Sequence, residues 1–178
     1  MRYFLGIVPP DAYKERIERF RNRWTSNRIG EVATEPHVTV KAQGGLTEDL
    51  AWLDSVRAVC SSFRSFRLSL AEPETFEDAV VFLGVRSEEI YELHKKLLDS
   101  VSPPREQIIR YFEGEYYHPH LTLGQTHFGM TAPEIAEMKR EARSALAPWP
   151  VFPVTFIRVY REIEPDKYAP FEDIRLSG

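Results

Sequence analysis

Two short segments carry the side chains best suited to chemistry, His37-Val38-Thr39-Val40-Lys41 and His118-Pro119-His120-Leu121-Thr122-Leu123. In a strand alternate residues share a face, so His37, Thr39 and Lys41 line up in the first segment, and His118, His120 and Thr122 in the second. The intervening valines and leucines then turn to a core. In-line displacement at phosphorus needs a base on the attacking oxygen and an acid on the leaving oxygen, acting from opposite sides. Imidazole titrates near pH ~6.5, so of two facing histidines one is neutral and one protonated without a large environmental shift. Thr39 and Thr122 supply hydroxyl donors for non-bridging phosphate oxygens, and Lys41 supplies a cation to offset developing charge. Gly124 takes the place of Lys41 in the second segment and leaves room for a ligand or a backbone. This chemistry needs no metal and no cofactor. His118 and His120 share a face and His127 is near in sequence, but no His-Glu-x-x-His helix and no acidic or thiolate cluster accompanies them.

The elements that must position these segments follow from apolar periodicity and turn residues. Residues 2–8 read as a buried strand, and Pro9-Pro10-Asp11 opens a helix running to about Trp24. After the strand at 37–41, Gly44-Gly45 breaks the chain, and Thr47 caps an amphipathic helix carrying Leu50, Leu53, Val56 and Val59 to about Ser62. Strands at 66–70 and 79–85 precede a helix opened by Ser87, with Ile90, Leu93, Leu97 and Leu98 on one side. A loop from Val101 to Tyr117 leads to a strand at 118–123, a helix from Thr131 to Leu146, and strands near 151–161 and 171–176. The order is α+β.

The second round of elements resembles the first. Tyr3-Phe4-Leu5-Gly6-Ile7 matches Val81-Phe82-Leu83-Gly84-Val85, Tyr13 matches Tyr91, His37-Val38-Thr39-Val40 matches His120-Leu121-Thr122-Leu123, and Thr47 matches Thr131. Phe76-Glu77-Asp78 also recurs as Phe171-Glu172-Asp173. A duplicated lobe is expected, with a pseudo-twofold axis that brings His37 and His120 face to face across a groove.

The two His-x-Thr-x motifs in matching halves resemble those of the two-histidine phosphoesterase superfamily, and within it the 2′-5′ RNA ligase-like cyclic phosphodiesterases. The resemblance covers nearly the whole chain in its order of elements. It implies a single bilobal α+β domain over residues 1–178, with two antiparallel sheets flanked by helices and a central groove. It also implies hydrolysis of a 2′,3′-cyclic or 2′-5′-linked phosphate at an RNA or nucleotide end, reversible as 2′-5′ ligation in some members. Carried over, His37 and His120 are the catalytic pair, and Thr39 and Thr122 hold phosphate. Which histidine is acid and which base stays open. A binding module that keeps the groove without turnover is the alternative.

The net charge of −4 excludes broad electrostatic coating of nucleic acid, so any phosphate site is local. In the 101–117 loop, Tyr111, Tyr117 and Arg110 are candidate substrate contacts, together with His118, because aromatic and guanidinium groups stack on bases and pair with phosphate. His94 and His127 read as surface residues. The lone Cys60 sits in an apolar helical pattern and reads as an inert packed thiol. No apolar run approaches the ~20 residues of a membrane span, and the start lacks a signal-peptide pattern, so a soluble cytoplasmic protein is expected.

Overall fold

The computed structural model describes residues 1–32 and 35–178. Its strands are β1 (Tyr3–Ile7), β2 (Val38–Lys41), β3 (Phe66–Phe76), β4 (Val80–Arg86), β5 (His120–Gln125), β6 (Val151–Val154), β7 (Phe156–Glu164) and β8 (Lys167–Arg175). They form one eight-stranded sheet in the order β6-β3-β4-β5-β2-β1-β7-β8, with every neighbouring pair antiparallel. The order reads the same from both ends if β2 answers to β5, β1 to β4 and β7 to β3. The first two of these correspondences are the ones the sequence matches suggest. The third departs from them, because Phe76-Glu77-Asp78 spans the β3–β4 turn whereas Phe171-Glu172-Asp173 lies inside β8.

Rather than two separate sheets there is one sheet with a thin central seam. The motif strands β2 and β5 pair at a single position, Val38 with Leu121, and then diverge. Carbonyls freed along the seam need other partners, since an unpaired buried carbonyl is costly. Side chains supply them on both sides. Tyr117 donates to the Thr39 carbonyl at 2.9 Å and His94 Nδ1 to the Val40 carbonyl at 2.8 Å. Across the seam, Arg21 Nη2 donates to the Thr122 carbonyl and Asn27 Nδ2 to the Leu123 carbonyl at 3.1 Å.

The helices are α1 (Asp11–Arg21), α2 (Ile29–Val32), α3 (Leu53–Ser62), α4 (Glu89–Val101), α5 (Arg105–Arg110) and α6 (Ala132–Ala145). The longer ones bury an apolar stripe at helical spacing: Tyr13, Ile17 and Phe20 on α1, Ile90, Leu93 and Leu97 on α4, and Ile135, Met138 and Ala142 on α6. These pack with Leu5, Ile7, Val38, Val40, Leu83, Leu121 and Leu123 into one core. Thr131 caps α6 through a reciprocal pair with Glu134. Thr47 does not cap α3. Its hydroxyl donates to Asp49, Leu50 sits at φ 59, and the helix begins only at Leu53. The 101–117 loop holds the short helix α5, begun after Pro104.

His94 is buried rather than on the surface. Gly114 N–H donates to its Nε2 at 2.9 Å, which fixes the proton on Nδ1, the atom that donates to the Val40 carbonyl. Its ring stacks on Tyr117, with centroids 3.8 Å apart.

Candidate active site

Each motif strand carries a bulge at the same place. Against β1, Thr39 pairs with Gly6 but Lys41 with Leu5, which leaves Val40 as an extra residue. Against β4, Thr122 pairs with Phe82 but Gly124 with Val81, which leaves Leu123 extra. A bulge resets the alternation of faces. Up to the bulge, His37 and Thr39, and likewise His120 and Thr122, line one groove of about 360 Å³. Just beyond it Lys41 and Gly124 turn to the core.

This overturns the expectation for Lys41. Its paired residue Leu5 belongs to the core, so the ammonium points away from the groove and is fully buried. There it bonds the Glu113 carboxylate at 2.9 Å, the Ala42 carbonyl at 2.9 Å and the Gly44 carbonyl at 2.6 Å. Glu113 also accepts the Ala42 N–H at 2.9 Å, which ties the end of β2 to the segment after α5. Gly124 is likewise turned inward. A Cβ there would run into Met130 Sδ and lie 3.1 Å from Met138 Sδ, so its missing side chain makes room for α6 and its approach, not for a ligand.

The two imidazoles are held alike. His37 Nδ1 lies 2.8 Å from the Glu35 carbonyl and His120 Nδ1 2.7 Å from the His118 carbonyl. A carbonyl only accepts, so Nδ1 carries the proton in each ring, and Nε2 is left as a lone-pair base or, when protonated, an acid. Aromatic rings from equivalent strands fix both imidazoles. Phe4 and Tyr160 flank His37 with centroids at 4.8 and 5.3 Å, and Phe82 and Phe76 flank His120 at 5.2 and 5.1 Å. Gly6 allows the first of these clusters to close, since a Cβ there would meet the Tyr160 ring at 3.1 Å and His37 Cβ at 3.5 Å.

Their surroundings differ. Glu35, two residues before His37, is buried and receives Lys14 at 2.7 Å, Arg158 at 2.7 Å and the Tyr160 hydroxyl at 2.8 Å. Burial works against the charge of Glu35, but these three donors hold its carboxyl below the usual range. His118, two residues before His120, is exposed and rests edge-on against Phe76 and Phe82. Burial pushes His37 down to about 4, opposed by the Glu35 carbonyl and reinforced by the charges of Arg21 and His120. Burial also lowers His120, opposed by the His118 carbonyl. Both imidazoles are therefore neutral near pH 7 in the free groove, whereas the sequence suggested one of each kind.

Of the other candidates, Tyr111 lines the groove. Arg110 is exposed, its guanidinium 5.6 Å from the Tyr111 ring. Tyr117 is engaged at the seam, and His118 contributes its carbonyl. His127, expected on the surface, is exposed and also lines the groove. Among the described residues no three His, Cys, Asp or Glu side chains converge as a metal-ligand set. The sequence reading missed Glu35 and Arg21. Arg21 had a signal, because it stands four residues after Ile17 on the buried stripe of α1, where a cation is out of place.

A pair of Nδ1-anchored histidines on bulged strands, facing one groove across a seam, is the arrangement of a two-histidine phosphoesterase. Comparison with known proteins agrees, since residues 9–166 match the model of the 2′-5′ RNA ligase superfamily. The chain belongs to that superfamily. Among solved structures, TT0787 of Thermus thermophilus is 20% identical, with 100% of this chain and 99% of that one covered and a TM-score of 0.64. E. coli LigT complexed with 3′-AMP is 20% identical, with 99% and 98% covered and a TM-score of 0.65. A structure described as a phosphoesterase is also 20% identical, with 99% of each chain covered and a TM-score of 0.65. Likeness at this identity speaks for the fold. A search of curated proteins by sequence found no match. No helix among the described residues is long and apolar enough to cross a membrane.

Proposed function

We propose that the protein hydrolyses 2′,3′-cyclic or 2′-5′-linked phosphodiesters at RNA or nucleotide ends, with His37 and His120 as base and acid. The observation that carries this reading is the matched anchoring of the two rings, each Nδ1 bonded to the carbonyl two residues before it so that both present Nε2. His37, the more strongly depressed, stays neutral and takes the proton of the attacking water. His120 carries a proton to the leaving oxygen, a state favoured once an anionic phosphate enters the groove. The Thr39 and Thr122 hydroxyls hold the non-bridging oxygens. In ligation a 5′-hydroxyl replaces the water and gives its proton to the same histidine, and the two histidines exchange roles when that reaction runs in reverse. E. coli LigT has been crystallised with 3′-AMP and with phosphate, which fits a nucleotide end as ligand. Tyr111, which lines the groove, offers a ring for the base.

The test is a product-resolved assay of the protein in EDTA on nucleoside 2′,3′-cyclic phosphates and on 2′-5′-linked dinucleotides. Release of a 2′- or 3′-monophosphate, or of free nucleoside and nucleotide, is expected. Binding of these compounds with no product selects the non-catalytic module, and activity that appears only with added metal selects a metal hydrolase.

A further inference from the structure

Arg21 is the last residue of α1, 5% exposed, and it lines the groove that holds both histidines. It takes part in none of the ion pairs among the described residues. Its Nη2 donates to the Thr122 carbonyl, and its buried Nε has no partner among the described residues. Burial lowers its basicity to about 10, so it remains charged at neutral pH. A buried cation without an ion-pair partner is strongly unfavourable, and the features that soften it here are modest. They are the Thr122 carbonyl, the negative end of the α1 dipole, and the charge of Glu18, which favours the guanidinium but forms no ion pair with it. The contrast with Lys41 is direct, because that ammonium has a carboxylate and two carbonyls and is closed off from the groove.

The position of Arg21 bears on the same point. It enters at the seam, where β2 and β5 splay apart, and bonds the backbone of the second motif at Thr122. It is also close enough to His37 for its charge to depress that imidazole. It therefore stands beneath the space between the two motifs. The Thr39 carbonyl, in the matching place across the seam, is capped by the neutral Tyr117 hydroxyl. The seam holds one charged cap and one neutral cap, and the charged one has an unused donor in its Nε.

We infer that Arg21 is the anion-binding residue of the groove, its guanidinium pairing with a non-bridging oxygen of the phosphate held between His37 and His120. The inference deepens the function proposed above and rests on its placing phosphate there. The missing counterion of Arg21 is then the substrate itself, and the charge that Lys41 was expected to provide comes from α1. Arg21 also adds to the burial that disfavours protonation of His37 in the free groove, and pairing with phosphate offsets that added part.

The test is calorimetric titration with inorganic phosphate on the full chain, comparing wild type with Arg21→Gln, Arg21→Met and Arg21→Lys. Arg21→Gln keeps a donor for the Thr122 carbonyl and loses the charge, so a purely structural role survives it. Phosphate affinity should fall by about tenfold or more in the Gln and Met variants and recover most of the way in the Lys variant. The His37 imidazole, followed by NMR, should titrate at higher pH in the Gln variant than in wild type. Phosphate affinity within twofold of wild type in Arg21→Gln, with His37 titrating unchanged, overturns the inference. Failure of the two proposals is distinguishable. Arg21-dependent phosphate binding without turnover of any phosphodiester retains the anion site and removes the enzyme, while turnover with Arg21-independent phosphate binding does the reverse.

Discussion

The two motif strands share a sequence pattern, a bulge and a way of anchoring a histidine, yet they are built into the molecule by different forces. Behind His37 stands Glu35, held by Lys14, Arg158 and Tyr160. Behind His120 stands an exposed His118 on two phenylalanine rings. Past the bulge the first strand buries a lysine on a carboxylate, and the second buries a glycine under two methionines. The histidine and threonine pairs that line the groove are matched, and the support behind them is not. Reaction chemistry requires matched imidazoles, whereas each support has only to fix one carbonyl and fill one volume. An ionic support is costly to break at one partner, and an apolar one yields gradually.

The largest effect expected from breaking the symmetric part is on turnover. His37→Ala and His120→Ala should each lower kcat for a cyclic phosphodiester by about 10²- to 10⁴-fold, with the fold retained by circular dichroism. The double variant should lose no more than about one further order, since an acid without its base is already disabled. A single variant with wild-type turnover would make the groove one-sided.

The ionic support comes next. Lys41→Met leaves Glu113 buried without its cation and should destabilise the protein by about 3–5 kcal/mol in urea denaturation. Joining it to Glu113→Gln should recover a large part of that loss. Destabilisation below about 1 kcal/mol would instead place Lys41 in solvent. The matching change in the apolar support is smaller. Gly124→Ala pushes a methyl group against Met130 and Met138, and because methionine adapts, the expected loss is about 1 kcal/mol, read from the same denaturation midpoint.

The parts legible in the sequence are those that a repeated residue pattern marks. His-x-Thr repeated in matching surroundings points to both histidines, both threonines and the order of elements. The face assigned to Lys41 failed because alternation assumes an unbroken strand, and a one-residue bulge leaves no mark in a Val-Thr-Val-Lys pattern. Arg21 resembles an ordinary basic residue in the last turn of a helix. His94 resembles a surface residue beside Lys95 and Lys96, although it stands four residues after Ile90 and three before Leu97 on the apolar stripe of α4. A polar residue on a buried stripe is the available signal in both cases. Glu35 has none, since its partners Lys14, Arg158 and Tyr160 come from distant parts of the chain.

The measurement closest to the proposed mechanism is the pH dependence of kcat/KM for a nucleoside 2′,3′-cyclic phosphate in EDTA. That substrate keeps its single negative charge across the range, so both limbs of the profile belong to the free protein. Activity needs one imidazole neutral and one protonated, a population that peaks between the two coupled titrations. Burial lowers both from the ordinary value near ~6.5, with His37 near 4. The singly protonated state must therefore be greatest below that value and drain away as the pH rises. The expected result is a bell with its maximum on the acid side of about pH 6.5 and a steady fall toward pH 8. A profile that is flat between about pH 5 and pH 8, or one that peaks above about pH 7, would contradict paired-histidine catalysis in this groove.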